Sequence, residues 1–193
     1  EGTQVSMKML NLRWKKISAI FISHMHADHV TGLPGMLMLS SQVDRTEPLY
    51  IFGPNKLQDY IESQRRILDM DINYEIKVIP VDTGIVYTGD GFTIQAFPLM
   101  HTKPCFGYSL VEERRKGEFF PDKAIELGVP KGKLWGTLQS GTPVTLDDGR
   151  VITSDMVMGP PREARKISYV TDTMYFPEIA DYVHDSDILF CEG

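Results

Sequence analysis

Residues 21–29 read Phe21-Ile22-Ser23-His24-Met25-His26-Ala27-Asp28-His29. Three of the chain's five histidines fall here, with an aspartate among them. An apolar run, residues 17–22, leads into the cluster. Imidazole and carboxylate are ligands that borderline and hard divalent metals prefer. His24 and His26 alternate, so an extended backbone turns them to the same side. Asp28 and His29 are adjacent, so they diverge, and they can serve a neighbouring ion. A surface loop can carry several histidines and bind nothing. Four candidate ligands in six positions, placed after an apolar strand, weigh towards a metal site with room for two ions.

Working outward, 193 residues with 42% apolar content suit one soluble globular domain with a substantial core. No apolar run approaches the roughly 20 residues of a membrane span. No signal peptide is visible, which leads to an expectation of the cytosol and of no membrane partner. The formal net charge of −6 counts against a broadly basic nucleic-acid binder. It does not remove the possibility of polyanion contact, which depends on where charge lies and on bound divalent ions. Cys105 and Cys191 lack CxxC spacing, and both read as reduced thiols that are neither ligands nor nucleophiles.

The periodicity predicts a short helix over 7–12, a buried strand over 17–23 and a buried helix from Met36 to about Leu39 after the Gly32 to Gly35 punctuation. A strand over 49–52 precedes an amphipathic helix reaching about Leu68. In that helix Leu57, Tyr60, Ile61, Gln64 and Leu68 share a face, and Glu62, Arg65 and Arg66 face out. Strands follow over 75–81, 86–87, 92–97 and 106–111, with a hairpin turn at Asp90-Gly91. From 112 to about 166 glycine, proline and charge become frequent. This tract holds a short helix over 122–127 and a hairpin over 144–152, and it reads as an excursion without core periodicity. A strand over 167–171, a helix around 177–183 and a strand over 187–191 close the pattern. Alternating strands and helices with ligands at strand ends point to a layered α/β fold.

The pattern His-x-His-x-Asp-His resembles the signature of the metallo-β-lactamase superfamily of hydrolases. Companion segments narrow the resemblance to its ribonuclease Z branch, the tRNA 3′-processing endonucleases. These are Glu1-Gly2-Thr3-Gln4, Ile20-Phe21-Ile22-Ser23, Thr31-Gly32-Leu33-Pro34-Gly35, Leu99-Met100-His101, Gly107-Tyr108 and Tyr169-Val170-Thr171-Asp172-Thr173. The resemblance implies an αββα sandwich with a metal cleft along one edge of two sheets, formed by residues 1–111 and 167–193. It also implies an inserted arm over 112–166 that contacts tRNA. Arg114, Arg115, Lys116, Lys123, Lys131 and Lys133, with Phe119, Phe120 and Trp135, are the candidate contacts there. Nearby acids make the arm almost neutral, and a solvated loop explains that composition equally well.

By the same resemblance His24, His26 and His101 surround one metal, Asp28 and His29 hold a second, and Asp172 bridges both. Asp28 also orients the nucleophile. Taken alone, His101 reads equally as a loop histidine and Asp172 as a turn or helix cap. The implied cofactor is Zn²⁺, two per complete site, with Mn²⁺ or Fe²⁺ as alternatives for the same donors. The implied substrate is precursor tRNA, cut to leave a 3′-hydroxyl on the tRNA and a 5′-phosphate on the trailer. Relatives of this kind often dimerise, so a homodimer is carried as an expectation, although no residue points to its face.

Against the family pattern the chain lacks the first strands, a later His-Ser-Thr motif and a further histidine beyond Phe190-Cys191-Glu192-Gly193. The expectation is an αββα sandwich incomplete at both ends, one metal held firmly, a weak second site and doubtful activity of this chain alone. His184 reads as a surface residue. Two other functions remain open from the sequence: a related metallo-hydrolase of small phosphodiesters or other esters, and an inactive metal-binding fragment needing a completing chain.

Overall fold

Leu49 and Ile51 are buried against helices, while their neighbours Tyr50 and Phe52 pack against a second sheet. That alternation is the period of a strand with both faces covered, and it organises the fold. The structure is a computed structural model that describes residues 2–43, 45–114 and 116–192. Glu1 and Gly193 of the terminal motifs and Arg115 of the basic tract lie outside the described residues.

The chain forms two compact units, Glu1–Val111 with Lys166–Gly193, and Glu112–Arg165. In the first, three parallel strands lie in the order β1 (Ala19–Phe21), β2 (Leu49–Gly53), β3 (Ile76–Pro80). The second sheet contains β4 (Gly84–Gly89), β5 (Phe92–Leu99), β6 (Cys105–Glu112), β9 (Lys166–Val170) and β10 (Ile188–Cys191), in the order β10-β9-β6-β5-β4. The β4–β5 hairpin turns at Gly91, whose φ of +76° suits glycine.

Phe52, Val81, Ile94, Ala96 and Tyr108 fill the space between the two sheets. There Phe21 stacks on Phe52 at 4.7 Å between ring centroids. Helices α3 (Leu33–Ser40) and α4 (Leu57–Ile67) cover the outer face of the parallel sheet through Leu33, Leu37, Leu57 and Ile61. On the other side Phe97, Leu99, Cys105 and Val170 pack with Ile179 and Val183 of α8 (Ile179–Val183). The layers therefore run helix, sheet, sheet, helix, the αββα arrangement anticipated above.

Several boundaries differ from the sequence reading. The first helix, α1, is Thr3–Met9 rather than 7–12, and β1 covers three residues of the predicted seven. Leu68 is 56% exposed, because α4 ends at Ile67 and its cap turns away from the core. A short helix, α2 (Ala27–Val30), begins inside the histidine cluster.

Glu112–Arg165 has a core of its own, which the sequence reading missed. Ala124 of α5 (Pro121–Glu126), Leu138 of α6 (Lys133–Gln139) and Val157 of α7 (Ser154–Val157) are fully buried. Val144 of β7 (Val144–Thr145) and Ile152 of β8 (Val151–Ile152) join them. Elements this short give too few turns for a period to show. Phe119 and Trp135 meet at 5.2 Å within this packing, and the Trp135 indole donates to the Val129 carbonyl at 3.1 Å. These two rings thus serve the unit's own core.

Candidate metal centre

The histidine loop is held from both sides. The Ile22 amide donates to the Phe52 carbonyl at 2.8 Å, and the Phe106 amide donates to the Ser23 carbonyl at 3.0 Å. The buried Tyr108 hydroxyl donates to the Ile22 carbonyl at 2.8 Å, and burial raises its pKa, so it remains a donor. The turn from β1 into α2 is therefore anchored to both sheets before any side chain reaches a ligand.

His24, His26, His101 and Asp172 converge, with one donor atom from each lying within 4.8 Å of the others. His24 Nε2 is 3.1 Å from His26 Nδ1, and His101 Nε2 is 2.9 Å from the same Nδ1. Asp172 Oδ2 lies 3.9 Å from both His24 Nε2 and His101 Nε2. The arrangement is not explained by protons alone. One imidazole nitrogen has a single in-plane direction in which to donate or accept, so His26 Nδ1 cannot make two good hydrogen bonds. Donors around a tetrahedral ion at ~2.0–2.1 Å stand about 3.3 Å apart, and separations of 2.9, 3.1 and 3.9 Å lie on both sides of that value, so these residues could hold a divalent ion.

His24 is completely buried, and burial, then the charge of His29, lowers its pKa to about 4, against a pull upward from Asp172. It is neutral at physiological pH, the form that ligates metal. Its far nitrogen, Nδ1, faces Ser23 Oγ at 3.2 Å and Cys105 Sγ at 3.6 Å. Burial, helped by Asp172, pushes the Cys105 thiol up to about 11, so it stays protonated. Cys105 therefore stands behind His24, on the side away from the other imidazoles, and Cys191 is exposed.

A second group shares Asp172. His29, Asp172 and Glu192 bring their donors within 4.8 Å of one another. Asp172 Oδ1 is 3.4 Å from His29 Nε2, so its two oxygens face the two groups. Partial burial opposes ionisation of Asp172, but His29, the Thr171 hydroxyl and His24 outweigh it and hold the carboxyl below its ordinary range. Glu192 also accepts from Thr171 Oγ1 at 3.1 Å. Sequence reasoning missed Glu192, because no spacing relates it to the histidines. Asp28 stands outside both groups: it is 78% exposed, with Oδ2 3.3 Å from His29 Nε2. His184 is exposed and pairs with Asp185.

A profile of the β-lactamase superfamily domain matches residues 4–126. Ribonuclease Z of Treponema denticola is 57% identical over all of this chain, which covers 63% of that protein. Ribonuclease Z of Nostoc punctiforme is 40% identical over all of the chain and 60% of its own length. The chain thus spans about three-fifths of the length of these curated relatives. The crystal structure of human tRNase Z, short form, aligns with a TM-score of 0.52 at 30% identity, over 58% of this chain and 50% of that one. The metallo-β-lactamase fold protein YhfI of Bacillus subtilis aligns over 96% of this chain and 53% of its own, with a TM-score of 0.51 and 16% identity, a likeness of fold. With its two sheets between helices and its histidine–aspartate cluster at their edge, the chain belongs to the β-lactamase superfamily.

Proposed function

We propose that the chain works as a metal-dependent endoribonuclease that removes the 3′ trailer of precursor tRNA. The observation that carries this reading is the 57% identity to a ribonuclease Z along the whole chain, with the two donor groups on one shared carboxylate. His24, His26, His101 and Asp172 would hold one ion, and His29, Asp172 and Glu192 a second, with zinc as the expected metal. Bound divalent ions supply Lewis acidity towards phosphoryl oxygen and hydroxide at neutral pH. Asp28, exposed at the start of α2, would accept a proton from the attacking water and aim it. The buried neutral His24 excludes solvent from the floor of the site.

The unit Glu112–Arg165 is our candidate for gripping the tRNA body. Arg114, Lys131 and Lys133 are exposed there, whereas Lys116 Nζ is already bound to the Ser140 carbonyl at 2.7 Å. Phosphate contact by such residues would make affinity fall with salt.

The test is incubation of the protein carrying this chain with a precursor tRNA and Zn²⁺ or Mn²⁺. The expected products are tRNA with a 3′-hydroxyl and a trailer with a 5′-phosphate, lost on Asp28→Ala. Hydrolysis of a small phosphodiester without cleavage of the precursor would overturn the proposal, as would metal binding with no hydrolysis at all.

A further inference from the structure

Beside the metal cluster lies a groove of about 350 Å³, within the roughly 300–1,000 Å³ range of small-molecule sites. Met25, Val81, Pro104 and Phe106 give it an apolar wall, and Lys56 and Lys103 stand at its rim. Its position follows from the topology. Met25 comes after β1, Lys56 after β2 and Val81 after β3, so the groove opens at the carboxyl ends of three parallel strands, where α/β sheets bind ligands. Met25 is bonded to both His24 and His26, which places its Cα about 3.8 Å from each of theirs. Lys103 is two positions beyond His101.

We propose that this groove holds one unpaired nucleotide of the RNA next to the bond to be cut, a subsite that rests on the endoribonuclease reading. The chemistry of the lining selects this occupant. A nucleotide offers a flat face for Phe106, Met25 and the prolyl ring, and a phosphate for the two ammonium groups; stacking on such side chains tolerates any base. Lys56 and Lys103 are exposed, and among the described residues neither has a carboxylate within ion-pair distance. In a chain of net charge −6 they give the groove a local cationic rim. Asp59, Tyr60 and Ser63 line the adjoining hollow with the same two lysines, and the carboxylate and hydroxyls there suit ribose rather than a second phosphate.

The experiment uses the zinc-loaded protein and a 5′-phosphorylated trinucleotide of unpaired RNA, with inorganic phosphate as the comparison probe. Affinity is read by calorimetry across a salt series. The expected result is about tenfold weaker trinucleotide binding for Lys56→Ala and for Lys103→Ala, with the salt slope falling by about one for each. Zinc content stays unchanged in both. Phe106→Ala is expected to weaken binding about tenfold or more. Because Phe106 also packs in the core, Phe106→Tyr serves as the second variant, keeping the ring and restoring affinity. Trinucleotide affinity indifferent to both lysines, or no better than that of inorganic phosphate, overturns the subsite. Lysine-dependent trinucleotide binding without cleavage of precursor tRNA supports the subsite and removes the endoribonuclease reading instead.

Discussion

His26 Nδ1 and His101 Nε2 lie 2.9 Å apart, although 75 positions of chain separate them. Two neutral imidazoles can share one proton at that distance. A third ring and a carboxylate focused on the same point call for a cation. His101→Ala should therefore lower zinc affinity at least about 100-fold, more than the 10–100-fold typical of residues that merely orient a ligand. His184→Ala, at an exposed histidine outside the cluster, should leave it unchanged. Metal titration with a competing chelator measures both.

Asp172 faces both donor groups, and Glu192 faces only the one containing His29. Asp172→Ala is expected to reduce occupancy of both positions, whereas Glu192→Gln should affect the second ion and spare the first. Metal stoichiometry after equilibrium dialysis separates the two outcomes. Equal loss in both variants would contradict the geometry.

The Tyr108 hydroxyl donates to the Ile22 carbonyl two residues before His24. Tyr108→Phe leaves that buried carbonyl short of a partner, at a cost of about 1–3 kcal/mol in stability. Denaturant unfolding reads the loss. Hydrogen exchange should show it concentrated in the histidine loop.

Leu138 is fully buried within Glu112–Arg165 and belongs to no cluster of the other unit. Leu138→Ala should destabilise this unit by about 2–5 kcal/mol through the cavity it leaves. Zinc affinity should be unaltered. Hydrogen exchange resolved by segment, beside a zinc titration, checks both parts.

Cys105 is 3% exposed behind His24, and Cys191 is exposed. An alkylating reagent should modify Cys191 promptly and Cys105 only on unfolding, with zinc slowing the second step further. Mass spectrometry of peptides over time distinguishes the two sites.

The sequence by itself determined the local chemistry and the strands and helices of a layered α/β fold, while the order of the layers came only from the resemblance. The histidines of residues 24–29 lie within two turns of chain, so their spacing is written in the primary structure. The long strands and α4 carry periods of two and of three to four that survive without neighbours. What only the tertiary structure decided is which distant groups meet them. Asp172 divides its oxygens between two groups, Glu192 joins the second and Cys105 backs His24, because strands far apart in sequence end at one edge of the paired sheets. The core of Glu112–Arg165 was illegible for a related reason. Its elements are two to seven residues long, and burial there is set by contacts among them rather than by any repeat along the chain.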